Sequence, residues 1–149
     1  MKTQLHSQAT LVLPGAGERL SVIGDRQTIK LDGSHTNGSF ALIEQDNEPG
    51  TSVPEHFHTQ EDEIFYLLEG EMEFTVAKEK IVAAAGTTVF LPRGVPHSFK
   101  VTGNGAKALI MLQPAGTEKM YRELSGLPPG EPDFGRVAKI CSKYGIHFV

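Results

Sequence analysis

From Leu11 almost to Gln113, short apolar runs alternate with turn clusters. RLSVIGDRQTIKL predicts a hairpin, with Val22 and Ile23, then Gly24 and Asp25 as the turn signal, then Ile29 and Leu31. DGSHTNGS (32–39) predicts a loop, FALIEQ (40–45) a strand and DNEPGT (46–51) a turn. EMEFTV alternates strictly, which puts Met72, Phe74 and Val76 on one face. TTVFL and HSFKV predict two further strands, the second starting at His97 and carrying Phe99 and Val101 on the same face. GNG (103–105) reads as a turn, and AKALIML closes the series. Short strands at this spacing, without helical periodicity between them, point to an all-β antiparallel sandwich or barrel. EIFYLL is apolar on both faces. It therefore predicts a strand covered on both sides, by the barrel interior and by a second layer, the tail or a partner subunit.

After Gln113 the period changes. TEKMYREL predicts a short helix with Thr117 as N-cap and Gly126 as its stop, and SGLPPGEPD (125–133) a linker. PDFGRVAKICSKYG places Phe134, Val137, Ala138, Cys141 and Tyr144 on one helical stripe, capped by Asp133 and ended by Gly145. An amphipathic stripe usually packs on a core, so both helices are expected against the outside of the sheet. The alternative is that one of them lids the barrel mouth.

Composition narrows the class. A chain of 149 residues predicts one domain, with a barrel core over about 38–114 and a helical tail over about 115–149. The net charge of −4 and the lack of a basic cluster argue against nucleic acid and anionic membrane surfaces. No apolar stretch approaches the roughly 20 residues of a membrane span, and Leu11 to Leu13 is too short for a signal-peptide core. The single cysteine, Cys141, excludes an internal disulfide, reads as a small apolar filler and fits a cytoplasmic setting.

The chemistry concentrates in PEHFHTQEDEIFYLLEG (54–70). Strand side chains alternate faces, so His56 and His58 point the same way about 6–7 Å apart, close enough to share an ion. A lone His-x-His also fits two histidines at a strand end. The wider spacing is more specific. Gly50, five residues, His56-Phe57-His58, four residues, Glu63, six residues, Gly70 resembles the first motif of the cupins, G(x)5HxH(x)3,4E(x)6G. Gly86 to His97, with Pro92, Gly94 and His97 in step, resembles the second motif, G(x)5PxG(x)2H(x)3N. The final Asn of that motif is Val101 here, which touches local geometry and not a ligand of the family.

The resemblance implies a double-stranded β-helix, or jelly-roll barrel, with one or two short C-terminal helices. It also implies one divalent transition metal on His56, His58, Glu63 and His97. Three neutral nitrogens and one carboxylate oxygen suit Mn, Fe, Co, Ni, Cu or Zn. The motif admits three or four residues after His58, so Asp62 or Glu63 could be the acidic ligand. Only Glu63 leaves six residues before Gly70. Glu61 and Asp62 are then expected on a solvated turn. Arg93 is expected to face solvent, and His6, His35 and His147 to be surface histidines, with His147 able to join a docked tail.

The glutamate argues against the three-histidine cupins. The single barrel with a helical tail resembles the small cupins related to quercetin 2,3-dioxygenase. That likeness implies a dioxygenase acting on a flavonol-like or other enolic aromatic substrate with O2, Glu63 as the catalytic proton acceptor, and a homodimer. The expected pocket lining is Phe40, Leu42, Phe65, Leu67, Phe90 and Phe99. A metal-dependent sugar-type isomerase or epimerase, with a more polar cavity, and a non-catalytic small-molecule-binding cupin are the alternatives.

Overall fold

Nine strands among the described residues pair into one antiparallel sheet that curls on itself. The computed structural model describes residues 9–149; the first eight, with His6, lie outside the described residues. In chain order the elements are β1 (Glu18–Val22), β2 (Asp25–Leu31), α1 (Gly33–Thr36), β3 (Ala41–Asn47), β4 (Ser52–His58), β5 (Asp62–Val76) and β6 (Glu79–Ala84). After them come β7 (Thr88–Leu91), β8 (His97–Gln113), α2 (Thr117–Ser125), α3 (Phe134–Lys143) and β9 (Ile146–Phe148). No helix among the described residues is long and apolar enough to cross a membrane.

Two long strands make the barrel. The sequence reads as separate strands on either side of Gly70 and of GNG, but β5 and β8 run through both places and pair along most of their length. The register shifts at Leu67/Glu69 and Gly70/Glu71, and such bulges bend a strand instead of ending it. Each long strand therefore serves two half-sheets. The first half of β5 pairs with β7 and its second half with β6. The second half of β8 pairs with β3, and its first half with β4. Gly70 sits at the bend with φ 76°, and a Cβ there would stand 2.1 Å from the Gly105 carbonyl oxygen. Gly70→Ala is expected to cost at least about 2 kcal/mol. Urea unfolding measures this, and an unchanged midpoint would refute the strain argument.

The core follows from the period of two. Phe65 and Phe74 on β5 meet Phe99 on β8, with ring centroids 5.1, 5.8 and 6.0 Å apart. Each ring buried from water contributes about 1.5–3 kcal/mol. The same period corrects the expected pocket. On β7, Val89 and Leu91 point in, so Phe90 points out and is 57% exposed. On β3, Ala41, Ile43 and Gln45 point in, so Leu42 faces out. Leu67 is fully buried, but in packed core, and half-buried Phe40 precedes β3. These four residues do not line the cavity beside the histidines. The outer face of β5 also stays partly open among the described residues, with Tyr66 and Leu68 exposed.

Other expectations shift by a residue or more. The β1–β2 turn is Ile23-Gly24, both at positive φ, as a two-residue hairpin needs to match strand twist. The 32–39 loop contains α1, closed by a capping box between Asp32 and His35. Helix α2 is capped by the backbone at Gly116, not by Thr117, which lies inside the helix and is buried. Asp133 caps α3 as expected, accepting from the Arg136 amide, but the buried stripe uses Ile140 and not Ala138.

The largest correction concerns the tail. The helices do not lie on the outside of the sheet. Met120 and Leu124 of α2 and Val137 of α3 close over the barrel mouth and form a second core with Val22 and Ile146. The chain then returns as β9 and pairs with the histidine strand: His56 with Phe148, Phe57 with His147, His58 with Ile146. The tail thus completes the site it was expected to flank.

Candidate metal centre

Strand β4 delivers His56 and His58 on its inner face, and β8 opens with His97 opposite His56 in register. All three are buried, at 6%, 4% and 2% exposure, with one ligand atom from each within 4.8 Å of the others. Glu63, next to the start of β5, is 5% exposed. Its Oε1 stands 3.6 Å from His97 Nε2 and its Oε2 3.8 Å from His58 Nε2. The structure therefore brings together all four residues named as ligands from the sequence.

The Nδ1 atoms are spoken for. His56 Nδ1 is 2.8 Å from the Pro54 carbonyl oxygen, and His97 Nδ1 is 3.1 Å from that of Val95. His58 Nδ1 is 2.5 Å from Glu61 Oε1. With protons on Nδ1, each ring keeps its Nε2 lone pair for the centre. His97 Nε2 is buried and has no hydrogen-bond partner among the described residues. An orphaned nitrogen facing two imidazoles and a carboxylate fits a divalent transition ion.

Electrostatics distinguish His56 from His58. Burial and the neighbouring His97 push His56 down to about 4, so it is neutral at physiological pH. Burial also pulls on His58, but the Glu61 hydrogen bond and the Glu63 charge outweigh it, and its pKa rises. Burial alone would raise Glu63; contact with His97 and the surrounding imidazoles overcomes that and holds it below its ordinary value.

Glu61 is the residue that sequence reasoning misplaced. It is 4% exposed and holds His58, whereas the neighbouring Asp62 is the half-buried acid and pairs with Arg93, Oδ1 to Nε at 3.2 Å. Strand β5 opens on Asp62, so alternation sends Asp62 outward and Glu63 inward, and Glu61, just before the strand, falls on the inner side. Glu61→Ala is expected to weaken metal binding by about 10–100-fold, the usual effect of removing an outer partner of a ligand histidine. Titration with Co(II) against a chelator measures it, and wild-type affinity in the variant would show that Glu61 only fills space.

A cavity of about 300 Å3 is lined by His56, His58 and Glu63. Phe65 and Phe99, predicted from the sequence, line it, together with Tyr121, Phe134 and Phe148 from the tail. Burial raises the Tyr121 hydroxyl well above its ordinary value, helped by the charges of Glu63 and Glu61. Sequence reading missed Tyr121 because the α2 pattern showed which face was apolar but not what that face would meet.

Similarity to known proteins agrees with the geometry. The family described as Cupin domain matches residues 44–113, a span that holds both histidine motifs. The chain belongs to the cupin superfamily. This cupin is 26% identical over 134 residues to quercetin 2,3-dioxygenase of Bacillus subtilis strain 168, covering 90% of this chain and 38% of that protein. It is 34% identical over 74 residues to the HTH-type transcriptional regulator PuuR of Escherichia coli K12, covering 50% of this chain and 40% of that one. The chain thus spans well under half the length of these curated relatives. Among solved structures, a predicted oxalate decarboxylase from Thermotoga maritima matches with TM-score 0.61 and 27% identity, covering 70% of this cupin and 98% of that chain. KdgF from Halomonas sp. matches with TM-score 0.67 at 15% identity over 75% and 99% of the two chains, a likeness of fold alone.

Proposed function

We propose that this cupin is a metal-dependent dioxygenase acting on a flavonol-like or other enolic aromatic substrate, with His56, His58, His97 and Glu63 as the metal ligands. The observation that carries the reading is the convergence of three imidazole Nε2 groups and one ionised carboxylate at an aromatic-walled cavity. A bound metal would supply Lewis acidity towards the enolate oxygen and redox access to O2. Glu63, held ionised, accepts the enol proton. Phe65, Phe99 and Tyr121 give a flat ligand its stacking surfaces and exclude water. The likeness to quercetin 2,3-dioxygenase supports the substrate class, since that alignment runs over most of this chain.

A second reading, a ligand-binding cupin without catalysis, draws on the likeness to the PuuR regulator. A sugar-type isomerase is less well served by aromatic walls. Metal analysis combined with oxygen uptake on a flavonol panel decides between them. The expected result is stoichiometric metal in protein grown with Mn, Fe, Co or Ni, and oxygen uptake with at least one flavonol. Protein without metal would sink the site, and metal without oxygen uptake would favour the second reading.

A further inference from the structure

The cavity has a polar wall that the metal-centred chemistry does not use. Gln27 on β2 and Gln45 on β3 are register partners and face inward, at 4% and 3% exposure. Gln27 Nε2 donates to Gln45 Oε1 at 3.0 Å, and Gln45 Nε2 donates to Asn47 Oδ1 at 2.6 Å. The Asn47 side chain lies beside Asp25, whose pKa burial raises against the opposing pull of Asn47 and Thr51; Asn47 Nδ2 itself has no hydrogen-bond partner among the described residues. The Thr51 hydroxyl donates to Asp25 Oδ1 at 3.3 Å. Asp25, Gln27, Gln45 and Thr51 all line the cavity.

The row has a direction. Gln27 and Gln45 both donate through Nε2, so Asn47 offers its oxygen to Gln45 and turns its NH2 to the Asp25 side. Gln45 in turn offers its oxygen to Gln27. Two atoms of the row are left over, Asn47 Nδ2 and Gln27 Oε1, both buried and without a partner among the described residues; of the two side chains only Gln27 lines the cavity. Packing alone does not explain it. Leucine or methionine fills the same volume without a buried acceptor, and interiors rarely leave one open.

We propose that Gln27 Oε1 is the acceptor of a ligand subsite, and that the ligand carries a hydroxyl or N–H donor separate from the group facing His56, His58 and His97. Ser52, beside Thr51, and His56 are four residues apart on β4, at most about 13 Å of extended strand. One aromatic ligand of two or three rings can therefore meet both the histidines and the polar row. This subsite deepens the proposed function and rests on it for the metal-facing end; the acceptor itself is built from β2 and β3.

The test is anaerobic equilibrium binding to the full chain, with quercetin and 3-hydroxyflavone as probes. Both keep the enolic hydroxyl, and only quercetin carries further ring hydroxyls. Wild type is expected to prefer quercetin by about tenfold or more, since a buried acceptor discriminates against a ligand that leaves it unpaired. Gln27→Met should reduce the preference to within about twofold by weakening quercetin alone. Equal wild-type affinities for the two probes overturn the proposal without any variant, as does equal weakening of both in Gln27→Met. Binding of neither probe overturns the hydroxylated aromatic as ligand. The two readings fail separately. Preference for quercetin without metal or oxygen uptake sinks the dioxygenase and keeps the subsite; oxygen uptake without the preference does the reverse.

Discussion

Glutamine in place of Glu63 is expected to lower flavonol-dependent oxygen uptake by about 10²–10⁴-fold, the usual contribution of a positioned proton acceptor. The exchange preserves shape, so the buried pocket between His58 and His97 stays filled. It removes the charge that the surrounding imidazoles hold in the ionised form. A glutamine amide neither takes the enol proton nor offers an anionic ligand. Metal content measured on the same sample separates these roles. Lost turnover with metal retained identifies the proton acceptor, and loss of both identifies the ligand. Turnover equal to wild type would remove Glu63 from the chemistry.

Replacing His97 with alanine is expected to weaken metal binding by more than about 100-fold, beyond the 10–100-fold typical of an outer partner. His97 is the one histidine of the three contributed by β8, and it stands against both His56, with ring centroids 4.4 Å apart, and Glu63. Its loss leaves the buried Glu63 carboxylate short of a partner, costing about 1–3 kcal/mol of stability. Chelator competition with Co(II) or Zn(II) measures the affinity, and a denaturant curve checks the fold. A variant that binds like wild type would exclude His97 as a ligand. In wild-type protein the affinity should fall as pH drops through the range where imidazoles take protons. His58, raised by its carboxylate neighbours, should protonate before His56, which stays neutral down to about 4.

The parts of this protein legible in sequence are those written with a short period. Alternation assigned Met72, Phe74, Phe99 and Val101 to the interior, and the spacing around His56, His58, Glu63 and His97 picked out four residues that the fold brings together. Alternation read in short windows was less reliable across the bulges of β5 and β8, where one bent strand looks like two. It also left faces unassigned in runs apolar on both sides, so Leu42 and Phe90 could be placed inward when they point out.

Long-range placement was decided by packing alone. Glu61 looks like a solvated turn acid; its contact with His58 is local, three residues back, but only the closed barrel buries the pair. Gln27 and Gln45 look like polar strand positions, and Asn47 like part of the 46–51 turn, until β3 runs on through Asn47 and the curled sheet turns all three inward. The helical stripes of the tail fix which residues need cover, but not the surface that supplies it. Only the pairing of β9 with β4 carries α2 and α3 across the mouth. The sequence by itself determined the strand-rich barrel and the inward histidines, because both follow from the two-residue repeat of a strand and from local spacing. The tertiary structure decided what lies across from them, because contacts between residues far apart in the chain depend on where a bent sheet closes.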